Sequence, residues 1–442
     1  MIRLYPGFLF AAVAVVHGQT ALDPADVLRR ARANINAATA RLPKYACVQT
    51  IDRAYYAPAM PNHGDPSCGQ MAADKKKNPL RLDVSDRLRL DVAQGEEREI
   101  DSWAGAGRFD TADIDRIVNR GPIGTGSFGG YLVDIFNNNA TKYAYLGEKT
   151  RDGSHVLVYG YAVTQSASHY RVQFASPEGD AWWTTPYSGT FEVDPLSLEI
   201  GRITLQTAEL PAKTGLCEAD STLDYQRLQI GDGSFLLPRQ SQIRLILRDG
   251  RETENEIGFT NCREYQAQSV VHFDAPSAAP AAAAEATEKL RAPLPPGLAV
   301  ELRLTTPIDT DTAAAGDAVS AAVLRAVHPP RSTDILIPAG AVVHGRLSLV
   351  ERHLLPIAHV MVAITWESLE TDGEPSPFAA RLEGKNGTAS VVTSLAGTMQ
   401  PKTPIPDGPP NSFVFLGEKR HVMDAGAASF WVTGDAPAAA AK

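Results

Sequence analysis

Gly189-Thr-Phe-Glu-Val-Asp-Pro195, then Ile203-Thr-Leu-Gln-Thr207, then Ile243-Arg-Leu-Ile-Leu-Arg248 share one pattern. In each, apolar residues recur at every second position: Phe191 and Val193, Ile203 and Leu205, Ile243, Leu245 and Leu247. Period-two alternation is the pattern of antiparallel strands with one face buried and the other wet. Asp194-Pro195, Gly231-Asp-Gly233 and Asp249-Gly250 separate the runs, and the last is a strong hairpin signal. The pattern continues to Val271-His-Phe273.

Working outward, Tyr45 to Tyr56, Arg87 to Val92, Lys142 to Tyr145, Val156 to Val163 and His169 to Phe174 add further strands. Asp23-Pro24-Ala-Asp26 opens a helix with a capping aspartate, a proline in its first turn and an acidic start. Val27, Leu28, Ala31, Ile35, Ala38 and Leu42 form one stripe on it, so the helix is expected to lie across the sheet. Residues 57 to 77 read as a long loop, and short helical segments are expected near Asp113 to Asn119 and Gly130 to Phe136.

After Asp274 the composition changes to Ala275-Pro-Ser-Ala-Ala-Pro-Ala-Ala-Ala-Ala-Glu285, a linker sequence. Strand-like runs resume at Val300 to Leu304, Ala318 to Val327, Ile335 to Gly340, Val342 to Val350, Ala358 to Trp366, Phe413 to Phe415 and Ser429 to Thr433. The expected fold is therefore mainly β with a few helices: a curved antiparallel sheet with a packed helix, followed by a smaller β-barrel or sandwich. The expected boundaries are residues 1–18 for a signal peptide, 22–274 for the sheet domain, 275–295 for the linker, 296–435 for the barrel-like domain and 436–442 for a disordered tail. The two domains are expected to be independent.

Bulk properties narrow the function. The net charge of −9 argues against a nucleic-acid partner. Arg3 precedes the apolar run Phe8 to Val16, which is too short to span a bilayer and reads as a secretory signal. No other stretch is long and apolar enough to cross a membrane, so the mature chain is expected to be secreted or periplasmic. In that setting Cys47, Cys68, Cys217 and Cys262 are expected to form two disulfides, paired in sequence order as Cys47 with Cys68 and Cys217 with Cys262.

Gly124-Thr-Gly-Ser-Phe-Gly129 matches G-x-G-x-x-G but lacks the preceding strand of a dinucleotide fold, so a helix-capping turn is expected. His353 and His359 lack a third donor, and Asp110, Asp113 and Asp115 lack a calcium loop's spacing. Asp309-Thr-Asp311 reads as a turn. Trp182-Trp183 could grip a carbohydrate or an apolar chain, against the plainer reading that at least one packs in the sheet. No nucleophile, base and orienter come together. No enzyme, cofactor or metal is expected.

Two resemblances can be stated on particular residues. Arg41-Leu-Pro-Lys-Tyr-Ala-Cys47, Asp86-Arg-Leu-Arg-Leu90, Gly189 to Pro195 and Asn261-Cys-Arg-Glu-Tyr265 resemble a family of uncharacterised exported bacterial proteins. A helix on a curved antiparallel sheet is also similar, in architecture alone, to the periplasmic lipoprotein-carrier half-barrel. Pro296 to Leu304, Gly316 to Ala321 and Ile335 to Gly345 resemble the periplasmic barrel of TrbI-like conjugation and type IV secretion proteins. The carrier resemblance implies a non-enzymatic binding protein sheltering a lipid or lipoprotein acyl chain. Its expected ligand-facing residues are the inward positions Phe191, Val193, Ile203, Leu205, Ile243, Leu245 and Leu247. The alternative is an envelope assembly protein that docks a protein partner through its barrel, and an enzyme with an unrecognised site ranks below both.

Overall fold

The computed structural model describes residues 23–60, 67–75, 77–94, 99–106, 109, 114–118, 121–124, 130–177, 179–264, 294–384, 390–393 and 408–434. The signal sequence, nearly all of the linker, the run to Phe273, most of the glycine motif and the C-terminal tail lie outside the described residues.

The chain opens with α1 (Pro24–Thr39), β1 (Tyr45–Pro58), α2 (Cys68–Asp74), β2 (Leu80–Gln94), β3 (Glu99–Trp103), α3 (Ile114–Ile117) and α4 (Gly130–Phe136). Strands β4 (Lys142–Arg151), β5 (Ser154–Val163), β6 (Arg171–Ser176), β7 (Gly179–Thr184), β8 (Tyr187–Val193) and β9 (Ile200–Thr207) follow. The long strands β10 (Leu216–Ile230), β11 (Gly233–Leu247) and β12 (Glu252–Glu264) complete the first region. Its sheet is antiparallel throughout, in the order β4-β5-β8-β9-β10-β11-β12-β1-β2-β3. Strands β6 and β7 form a separate hairpin.

The expected caps hold. Asp23 accepts the Ala25 N–H at 3.0 Å, and Pro24 begins α1. Val27, Ala31 and Ile35 are buried, and with Ile135 and Phe136 of α4 they cover Phe191, Val193, Ile203 and Leu205. A second core lies under β1, β2, β11 and β12, where Ile51, Leu90, Ile243 and Ile257 meet Val118 and the α3 segment. Residues 57 to 77 are not all loop. Ser67 and Gln70 form a reciprocal capping box that starts α2, satisfying two N–H groups that a loop would leave to water.

The sequential disulfide pairing is corrected. Cys47 bonds Cys262, and Cys68 bonds Cys217. The reason is register: β1 pairs with β12, some 200 residues away in sequence. Between the pairs Ala46↔Arg263 and Val48↔Thr260, Asn261 and Cys262 stand opposite Cys47 alone, a bulge. Asn261 takes a left-handed φ of 50°, which its short polar side chain tolerates, and the two cysteine Cα atoms come to 4.0 Å.

The second region contains β13 (Ala299–Leu304), β14 (Ile308–Asp309), β15 (Ala318–Val323), β16 (Val342–His353), β17 (His359–Thr371), β18 (Glu374–Pro377) and β19 (Ala380–Leu382). It ends with β20 (Ser390–Thr393), β21 (Ser412–Leu416), β22 (Val422–Met423) and β23 (Ala428–Thr433). The main sheet runs β19-β23-β13-β15-β16-β17-β21-β20 around Trp366, Phe413 and Trp431, and does not close on itself among the described residues. Ile335 to Gly340 is not a strand: only Ile337 bridges, to Val327, before the turn at Gly340.

The two regions share an edge. β2 pairs with β1 on one side; on its other side β3 takes Leu90–Gln94, while β16 takes Val84, Ser85 and Asp86. Between them, Arg89 N–H donates to Ala315 O at 2.7 Å and Ala315 N–H to Arg87 O at 2.8 Å. Arg89 also pairs with Asp317. An edge that would stand open is thereby covered by the second region. Cleaving the chain within residues 275–293 is expected to leave the two pieces eluting as one species on gel filtration. Separation of the pieces without denaturant would show that this seam does not hold.

Candidate functional site

The C-terminal half of α1 does not press flat on the sheet. Between it, α4, the β8–β9 turn and the β10–β11 turn lies a cleft of about 350 Å3. Ile35, Ala38, Leu132, Leu198, Phe235 and Leu236 give it apolar walls. Arg227 pairs with Glu199 at the rim and donates to Ser234 O at 3.0 Å.

Two local devices shape these walls. Leu198 has a φ of 60°, a left-handed conformation that is rare and costly for a leucine. Asp194 holds it there: its side chain accepts the Leu196 and Ser197 N–H groups, and its carbonyl accepts the Leu198 N–H at 2.8 Å. The Asn34 amide of α1 donates to Leu198 O at 3.4 Å. On the opposite turn, Gly233 leaves room for the Phe235 ring, because a Cβ there would lie 2.5 Å from two ring carbons.

None of the seven expected ligand-facing residues lines this cleft. Phe191, Val193, Ile203 and Leu205 are packed in the core beneath α1 and α4, with Phe191 edge-on to Phe136 at 4.9 Å and stacked on Tyr159 at 5.3 Å. Ile243 sits in the other core, so close to Gly124 that a Cβ on the glycine would meet it at 1.8 Å. Leu245 is half-buried beside that core, and Leu247 is half-buried at the end of β11. Inward alternation therefore found the buried face but not the part of it left uncovered. Leu198 and Phe235 stand in turns, where alternation gives no signal.

The charged groups are largely paired. Asp224 takes Arg202 at 2.7 and 2.9 Å and Arg151 at 2.7 Å. Burial pushes its carboxyl up, but the bonds and charges of Arg202 and Arg151 outweigh burial and hold it below the usual carboxylate range. His353 and His359 stack at 4.6 Å; His353 meets Glu351 at 3.0 Å, and His359 meets Ile357 O at 2.7 Å. Among the described residues no group of His, Cys, Asp and Glu is arranged to hold a metal ion. Trp182 and Trp183 stand on the β6–β7 hairpin, where Arg171 lies over the first at 5.1 Å and Lys213 over the second at 4.4 Å.

No protein-family model and no curated protein matches the sequence. Two solved structures are similar to the chain: a putative outer membrane lipoprotein-sorting protein domain from Vibrio parahaemolyticus and a DUF1329 family protein from Desulfovibrio piger. Each is 11% identical with a TM-score of 0.26. The matches cover 55% and 56% of this chain, and 92% and 95% of the respective structures. A likeness at this level carries no argument about ligand or mechanism. The two disulfides fit an exported protein. No helix among the described residues is long and apolar enough to cross a membrane.

Proposed function

We propose that the chain is an exported, non-enzymatic binding or carrier protein that shelters an apolar ligand beneath α1. The observation that carries this reading is the cleft itself, with apolar walls that include a left-handed Leu198. Its volume of about 350 Å3 lies at the lower end of small-molecule sites, roughly 300–1,000 Å3. It suits a single acyl chain or a compact hydrophobe, not a bundle of chains. An assembly role through the second region is the other reading, supported by Ile335 and Phe430, which are 61% and 55% exposed there.

The test places a large side chain at Ala38, a half-buried helix position on the cleft wall. Purified mature protein is expected to enhance the fluorescence of N-phenyl-1-naphthylamine and to carry lipid in native mass spectra. Ala38→Trp is expected to abolish both while leaving the circular dichroism spectrum unchanged. Undiminished enhancement in Ala38→Trp would overturn the cleft as the site. Leu205 is not the place for this test, because it is only 2% exposed within the packed core and a larger residue would strain the fold.

A further inference from the structure

On the sheet face turned away from α1, strands β4, β5, β8, β9 and β10 hold a trough of about 640 Å3, larger than the cleft. Ala144, Gly160, Ala162 and Ser188 form its floor, where long side chains would fill it. The β8–β9 ladder lapses between the pairs Ser188↔Gln206 and Phe191↔Ile203. There the Thr190 N–H donates to Thr204 Oγ1 at 2.9 Å, and the two threonine hydroxyls meet at 2.8 Å. From the opposite face the Tyr161 hydroxyl donates to Thr204 O at 2.8 Å. Gly189 is required at this point, since a Cβ would lie 1.9 Å from Thr204 O.

Three polar side chains facing the trough are open to a ligand. Among the described residues Lys142, Ser188 and Thr222 make no side-chain hydrogen bond or ion pair. Asp220 is not one of them: its Oδ2 takes Arg244 at 2.6 Å, and its Oδ1 is buried. Leu146, 59% exposed, borders the floor at Gly160 and offers an apolar wall.

These features select a ligand class. A single lysine among the lining residues, beside an aspartate already paired with Arg244, is too little charge for a polyanion. A ligand lying across paired strands meets side chains, not free backbone groups, which excludes strand addition. Short hydroxyls in a row match a partner that both donates and accepts, and a leucine wall matches the C–H face of a sugar ring. We propose that this trough binds a neutral oligosaccharide.

The test is calorimetric titration of the full mature protein with maltohexaose, cellohexaose and chitohexaose. At least one is expected to bind with a Kd at or below about 1 mM. Ala144→Trp and Ala162→Trp, both at exposed positions, are each expected to abolish it. Thr222→Val and Ser188→Ala are each expected to weaken it by about 2- to 12-fold, the loss of one hydrogen bond. Ala38→Trp is expected to leave sugar binding unchanged, so the trough and the cleft are tested separately. Failure of all three sugars to bind, or binding that persists in both tryptophan variants, would overturn the proposal.

Discussion

Replacing Cys47 and Cys262 together by serine is expected to lower the free energy of unfolding by about 2–5 kcal/mol. The bond joins residues 215 apart in sequence, and the second disulfide joins residues 149 apart. A chain-entropy argument gives roughly 5 kcal/mol for a loop of either length, more than the roughly 3 and 4 kcal/mol of the sequential pairing. The two loops are nested, so their contributions overlap. Removing the Cys68–Cys217 bond is expected to cost less, because it releases only the short helix α2 from β10. Urea titration measures both changes as a lower midpoint with little change in slope. Peptide mapping without reduction provides the independent check. A peptide holding Cys47 with Cys68 would refute the register of β1 against β12.

How far the fold was legible depends on the distance over which each signal acts. Alternation at Phe191, Val193, Ile203 and Leu205 is local, and all four are buried as that pattern demands. The cap at Asp23 and the proline after it are equally local, and they mark the start of α1. The capping box of Ser67 and Gln70 is local as well, but it lies in a stretch whose Pro, Gly and Asn read as a loop. Strand neighbours far apart in sequence leave no such mark. Nothing near Cys47 announces Cys262, although Asn261 beside it is a residue that suits a left-handed bulge. The sharing of one β2 edge between β3 and β16 is likewise set by tertiary contact alone. The candidate cleft was legible only as a shortage of cover: one helix is too narrow for so wide a sheet. Where the shortage falls depends on α4, the α3 segment and the turn at Leu198, none of which reveals its position through periodicity.

Asp86→Ala is expected to cost about 3–5 kcal/mol, the largest effect of any single substitution considered, because it removes the carboxylate that takes two hydrogen bonds from a buried guanidinium. Arg53 grips Asp86 through two hydrogen bonds of 2.7 and 2.6 Å, and the two side chains are only 2% and 6% exposed. The pair lies at the seam, where Asp86 stands opposite Glu351 of β16. Burial pushes the Asp86 carboxyl up by more than the Arg53 bonds and charge pull it down, and the nearby Glu351 and Asp52 add to the rise. A raised folded-state pKa means that Asp86 contributes stability below its unfolded value, about 3.9, and loses it as pH rises through the folded value. At neutral pH the ionised Asp86 carries this burden of burial, and Arg53 satisfies its oxygens. Replacing both partners by apolar residues of similar size should remove the burden without leaving a charge behind. Arg53→Met with Asp86→Leu is accordingly expected to restore most or all of the stability that Asp86→Ala loses. Thermal and urea unfolding of the single and double variants at pH 7 would measure the difference. A double variant as unstable as the single one would mean that the bonds of this pair, which join β1 to β2, stabilise the fold outright.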